Sequence, residues 1–149
     1  MINVYRTDSE SEDFVALVKL LDAYLAVTDG DEHAFYDQYN KLDNIKHVVV
    51  GYKDDVPVAC GAIKSFDDDA YEVKRMFVHA DYRGQGISKN ILAQLEHWAL
   101  ELGGKRCILE TGTRQKEAVQ LYKSFGYTII PNYGQYQGME NSICFEKSL

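Results

Sequence analysis

Apolar residues recur along this chain with two periods, and the switches between them mark its elements. Phe14, Leu17, Val18, Leu21, Tyr24 and Leu25 are spaced by one, three or four residues. That spacing predicts an amphipathic helix capped by Ser9 or Ser11. Runs rich in β-branched and aromatic residues predict strands at INVYR (2–6), HVVVGY, VPVACGAIKSF and YEVKRMFV. KDD and then DDD at 67–69 separate the last three, which therefore read as an antiparallel meander. Before them, DGDEHAFYDQYNKLDN is polar and aromatic, and AFYDQYNKL within it reads as a short second helix. Ile87, Ile91, Leu95, Trp98 and Leu102 step by four, four, three and four, one face of a helix over 85–103 that ends at Gly103-Gly104. RCILET reads as a short buried strand and QKEAVQLYKSF as an amphipathic helix stopped by Gly126, while YTII and NSICFEKSL close the chain as strands. The order is β-α-α-β-β-β-α-β-α-β-β, a mixed α/β class with one sheet of about six or seven strands and about four helices. The step from strand 70–78 through the helix to strand 106–111 is a crossover, so those two strands should run parallel at the centre, joined in the right-handed sense. Ligands bind beyond the carboxyl ends of strands so joined.

Composition narrows the function classes. A chain of 149 residues has the length of one domain, 1–149, with a real core. Hydrophobic residues make up 46% and charged residues 26%, the profile of a soluble globular protein. The net charge of −7 argues against nucleic acid and against anionic membrane surfaces as partners. MINVYRTDSESEDF has no basic region followed by an apolar core, so no signal peptide is read, and no apolar run is long enough to span a membrane. A cytoplasmic location is the expectation. Cys60, Cys107 and Cys144 are odd in number, lack CxxC spacing and sit among apolar neighbours, which predicts buried thiols. His33, His47 and His97 have no partners at ligand spacing, and His79 reads as a solvated loop residue, so no metal is expected.

The chemistry gathers at DYRGQGISKNIL, residues 81–92. A strand, a glycine turn and a helix start make an anion site, because the first helical N–H groups lack partners within the helix. From Gly84 the chain reads GQGISK, which is neither a GxxxxGK[ST] loop nor a GxGxxG fingerprint. What fits is Arg-x-x-Gly-x-small counted from Arg83 to Ser88, and this resembles the acyl-CoA signature of the GNAT superfamily of N-acetyltransferases. QKEAVQLYKSFGY resembles that superfamily's second hallmark, and the order of elements is similar from end to end. The match is clearest over residues 70–130. Ser88 stands where the superfamily usually has Gly or Ala, and it is small enough to keep the close approach.

The resemblance implies a GNAT fold and a transfer of acetyl from acetyl-CoA to the primary amine of a small molecule, amino acid or peptide in a ternary complex. Main-chain groups of Arg83, Gly84, Gln85, Gly86, Ile87 and Ser88 would hold the pyrophosphate. Those of Met76, Phe77 and Val78 would pair with the pantetheine arm, which Gln115 would also reach. Tyr122 would protonate the leaving thiolate. For the base, Glu72 shares a strand face with Lys74 and Met76, and Glu110 is the alternative. A main-chain N–H near Phe77 or Val78 would stabilise the oxyanion. Tyr36, Tyr133 and Tyr136, in stretches rich in Tyr and acidic residues, are candidates for the acceptor site and would suit a cationic amine. A homodimer is compatible with the superfamily. The competing reading is a GNAT-fold module that binds or senses acyl-CoA without turnover.

Overall fold

The computed structural model describes residues 2–30 and 44–149. Its strands are β1 (Asn3–Thr7), β2 (His47–Lys53), β3 (Val56–Ser65), β4 (Ala70–Val78), β5 (Arg106–Gly112), β6 (Thr128–Ile130) and β7 (Ser142–Ser148). Among the described residues the α-helices are α1 (Glu12–Asp29), α2 (Ile87–Glu101) and α3 (Lys116–Ser124). The predicted helix AFYDQYNKL, with Tyr36, lies outside the described residues. The seven strands make one sheet in the order β1-β2-β3-β4-β5-β7-β6. The β4–β5 pair is parallel and every other pair antiparallel, as the crossover predicts.

Local chemistry sets the boundaries. Ser11 caps α1, its hydroxyl accepting from the Phe14 N–H at 3.3 Å. Asp54 and Asp55 both take positive φ, 51° and 66°, the twist that a two-residue hairpin between β2 and β3 needs. The Asp67 carboxylate closes the next turn by accepting from the N–H groups of Asp69 and Ala70 at 3.0 and 2.8 Å.

The helices cover opposite faces. Phe14, Leu17, Val18 and Leu21 of α1 pack on Val48, Val50, Cys60, Ala62 and Phe77. On the other face, Ile87, Ile91, Leu92, Leu95 and Ala99 of α2, with Tyr122 of α3, pack on Val49, Ala59, Ile63, Val73 and Phe145. Trp98 packs on the edge of the same cluster, whereas Leu102 is the C-cap, one residue past the end of α2. Trp98 meets His47 edge-on at 4.9 Å, and Leu102 is exposed. All three cysteines are free buried thiols. Burial pushes Cys60 and Cys107 up to about 12 and Cys144 to about 11. No described helix is long and apolar enough to cross a membrane.

Two irregularities of β4 position the site. It pairs with β5 only at Ala70–Arg106, Tyr71–Cys107 and Glu72–Ile108. Beyond Glu72 it stays with β3, whereas β5 stays with β7 to Gly112, so a gap opens between the parallel strands. The second irregularity is a bulge. Cys60 pairs with Phe77 and Ala62 with Lys74, so Gly61 faces two residues, Arg75 and Met76. Arg75 takes φ 59° there, a left-handed conformation that costs an L-residue about 1–2 kcal/mol.

Candidate active site

The glycine turn is built for an open approach. His79 begins it: its Nδ1 accepts from the Asp81 N–H at 3.2 Å, which makes this histidine a cap for the short 3₁₀ turn Ala80–Tyr82. Gly84 and Gly86 have φ 78° and 75°, and a Cβ on either would meet nothing within 4 Å. Glycine is needed for the backbone twist, and the space above it is empty rather than filled by protein. Gly86 is the N-cap of α2 and supplies no side-chain cap, which leaves the first N–H groups of the helix for a ligand. Arg83 is fixed from two sides: its Nε donates to the Val78 carbonyl at 3.1 Å, and its guanidinium lies 5.5 Å from the Tyr24 ring centre. Gln85 turns towards β2, its Oε1 accepting from Lys53 Nζ at 2.9 Å.

A cavity of about 400 Å³ runs from this turn along β4 to α3, lined by Arg83, Gly84, Gly86, Ser88 and Lys89 at one end and by Gln115 and Tyr122 at the other. Met76, Phe77 and Val78 line its floor. The His79 N–H donates to the Val58 carbonyl at 2.8 Å, across to β3. Main-chain groups alternate in direction along a strand, so Val78 turns its N–H and C=O to the open side while Phe77 exchanges with its register partner Cys60. The Arg83 bond to the Val78 carbonyl fits that direction. Of the three residues expected to pair with the pantetheine arm, Phe77 has its main chain turned to β3 and its side chain packed under α1.

A second cavity, about 120 Å³, lies in the gap where β4 and β5 part and is lined by Glu72, Lys74, Arg75, Glu110, Thr111 and Tyr136. Met76, Gln115, Ala118 and Tyr122 line both cavities, so Tyr122 stands at their junction. Its ring packs against Tyr127 and Phe145 at 5.8 and 5.9 Å. Burial and, after it, the nearby Glu110 charge hold its phenol well above the ordinary range, so it keeps its proton at neutral pH.

Glu72 and Glu110 both line this second cavity. Glu72 Oε2 accepts from the Tyr133 hydroxyl at 2.6 Å, and Glu72 Oε1 lies 3.8 Å from Lys74 Nζ. Tyr133 therefore holds Glu72, and Tyr136 lines the smaller cavity. Burial first, then Glu110 and Glu72, push the Tyr136 phenol upward, which puts this hydroxyl in the field of both carboxylates. Asn132 fastens that loop, donating from Nδ2 to the carbonyls of Tyr136, Met139 and Ser142. The expectation that Glu72, Lys74 and Met76 share one face fails at Met76. The bulge intervenes, and Met76 joins the cluster under α2.

Sequence reasoning passed over Arg75 and Thr111, both buried and both on the wall of the smaller cavity. Arg75 Nη1 is 3.0 Å from Asp22 Oδ1 of α1. Among the described residues no group of three or more His, Cys, Asp or Glu side chains is placed to hold a metal ion.

Comparison with known proteins agrees with this architecture. The model of the acetyltransferase (GNAT) family matches residues 14–127. An IAA acetyltransferase of Azospirillum brasilense is 29% identical over 99% of this chain and 98% of its own length. A Klebsiella pneumoniae structure, proposed to be an acyl-CoA N-acyltransferase, superposes with TM-score 0.84 at 27% identity, covering 100% of this chain and 98% of that one. A GNAT family acetyltransferase of Elizabethkingia anophelis, solved with acetyl-CoA bound, shares the fold at TM-score 0.70 and 16% identity, over 99% of this chain and 98% of that one. The chain belongs to the GNAT family of acetyltransferases.

Proposed function

We propose that this protein transfers an acetyl group from acetyl-CoA directly to the primary amine of a small molecule, amino acid or peptide. One observation carries the reading: two cavities meet at Tyr122, one ending on an open glycine turn and the other on two carboxylates. The Elizabethkingia protein of the same fold holds acetyl-CoA, which supports assigning the longer cavity to the donor. In this assignment the pyrophosphate sits on the N–H groups following Gly84 and Gly86, with Arg83 and Lys89 adding positive charge. The pantetheine arm lies against β4 in the place β5 vacates, like an added strand.

The acceptor amine enters between Glu72 and Glu110. A free ammonium has its pKa near ~10, so a carboxylate must take a proton before or during attack. Glu72 is held by Tyr133 and is the first choice for base; Glu110 is the alternative. The amine nitrogen attacks the thioester carbon, and the Val78 N–H is the donor available for the developing oxyanion. The C–S bond then breaks, and Tyr122 gives its proton to the departing sulfur. Burial makes the phenol a weak acid, and the same dry surroundings make the thiolate a stronger base, so the transfer remains feasible.

Thermal unfolding with acetyl-CoA, CoA, ATP or NAD at equal concentration tests the donor site. Acetyl-CoA and CoA should each stabilise the protein, by about 2.7 kcal/mol at one hundred times Kd. Release of CoA on adding primary amines then tests turnover. Stabilisation without release across a broad amine panel would favour a module that binds acyl-CoA without turnover. No stabilisation by either CoA form would overturn the donor site itself.

A further inference from the structure

Arg75 is the least satisfied charge in the described structure. Its side chain is 3% exposed, and Nη1 alone has an ion-pair partner, Asp22. The Nε and Nη2 atoms are buried without a hydrogen-bond partner among the described residues. Such N–H groups are costly to leave unmade, and the bulge holds this arginine in a strained conformation as well. Asp22 is 40% exposed and pairs with Nη1 alone, so it neutralises the guanidinium from one edge only.

The unpartnered edge has a definite shape. Nε–H and one Nη2–H point the same way, side by side, and that fork matches the two oxygens of a carboxylate. Arg75 lines the smaller cavity and is absent from the wall of the longer one, so this residue stands at the acceptor end. The same small cavity carries Glu72 and Glu110, which suit an ammonium, and the Lys74 cation beside Glu72. Both signs of charge on one wall fit a ligand that itself carries both.

We infer that the acceptor is an amino acid or a similar small amine bearing a carboxylate, and that Arg75 binds this carboxylate through Nε and Nη2 while the amine faces the glutamates. This rests on the acetyl-transfer reading and narrows the acceptor to amines that carry a carboxylate. A simple polyamine would leave the fork unmet, and a peptide would offer its α-carboxylate only at its C-terminus.

The test uses matched acceptors with acetyl-CoA: the amino acids, their carboxamides and their decarboxylated amines, followed by CoA release. The wild type should use the best acids with kcat/KM about 10- to 100-fold above their carboxamides, the size expected of a charge-assisted pair. In Arg75→Gln that ratio should fall towards one, chiefly through KM for the acid. Asp22→Asn should keep or widen the ratio, because the guanidinium then has more charge to offer. If the Arg75→Gln protein does not fold, inhibition of the wild type by N-acetyl amino acids against their amides reads the same preference. Equal use of acids and carboxamides, or a ratio that survives in Arg75→Gln, would overturn the carboxylate fork and leave acetyl transfer standing. A merely structural Arg75–Asp22 pair predicts that surviving ratio, with similar losses of Tm in both variants. No transfer to any of these amines, with acetyl-CoA bound, would overturn the transfer reading and this one together.

Discussion

Two partly buried ionic clusters, one on each side of the sheet, are finished to different degrees. Under α2, Glu96 accepts from the Tyr127 hydroxyl and from Lys147 Nζ, each at 2.8 Å, and Lys147 also lies 4.3 Å from the Phe125 ring centre. Both glutamate oxygens are engaged, and the cluster ties α2 to β7 and to the turn after α3. Towards α1, Arg75 meets Asp22 with one nitrogen and leaves two without partners among the described residues. The first cluster abuts neither cavity, whereas the second stands on the wall of one. Breaking the closed cluster would strand a partly buried charge, so it bears on stability; in the reading proposed above, the unfinished one beside the cavity awaits a ligand.

Two tyrosines turn that contrast into a paired experiment. Tyr122 and Tyr127 pack ring to ring at 5.8 Å, and burial is the first cause that raises both phenols. The Tyr127 hydroxyl is tied to Glu96, whereas Tyr122 lines the junction of the cavities. Tyr122→Phe should lower kcat by about 10²- to 10⁴-fold, the worth of a positioned acid, with acetyl-CoA binding kept. Tyr127→Phe should leave kcat in place and cost about 1–3 kcal/mol by loosening Glu96. Steady-state CoA release and thermal unfolding on both variants decide it. If the effects are exchanged, the two hydroxyls have been assigned the wrong way round.

A second break falls on Glu96 itself. Glu96→Leu strips the partner from Lys147 and from the Tyr127 hydroxyl at once. Lys147 is 26% exposed, so water recovers part of the loss, and a net cost of about 1–3 kcal/mol is expected. For a chain of this size that is a fall in Tm of about 2–4 °C per kcal/mol. The apparent KM for acetyl-CoA and for the acceptor should not move. A change in either KM would mean that this cluster also supports the site.

The chain announced its element order, because its periods switch cleanly and aspartates and glycines mark the turns. It also announced the glycine turn, whose residues are contiguous and whose physics is local. The bulge was hidden. A left-handed arginine breaks the two-residue alternation, and nothing in VKRMF signals it, so Met76 was expected on the wrong face. Lys74-Arg75 reads as an ordinary solvated pair, yet Arg75 is buried. Tyr133 was expected near the acceptor, and its donation to Glu72, sixty-one positions away, is a contact that only the folded sheet defines. Tyr36 falls outside the described residues.

The least disruptive test changes pH alone. In the proposed mechanism the protonated form of Tyr122 is the active one, and burial raises its pKa above the ordinary phenol value. A raised pKa extends the active form upward, so no loss of rate from this group is expected below pH ~10. The acceptor amine gains its free-base form over the same span, and kcat/KM should climb towards pH ~10 without turning over. Tyr122→Phe should keep that rising limb at a lower level, because the limb belongs to the amine. The Glu96 cluster supplies the contrast again: Glu96→Leu should leave the whole profile in place. A descending limb near pH 8–9 that vanishes in Tyr122→Phe would mean that the phenol ionises early. That result would overturn the effect of burial at this position while leaving Tyr122 as the proton donor, because the rate would then be lost with its proton.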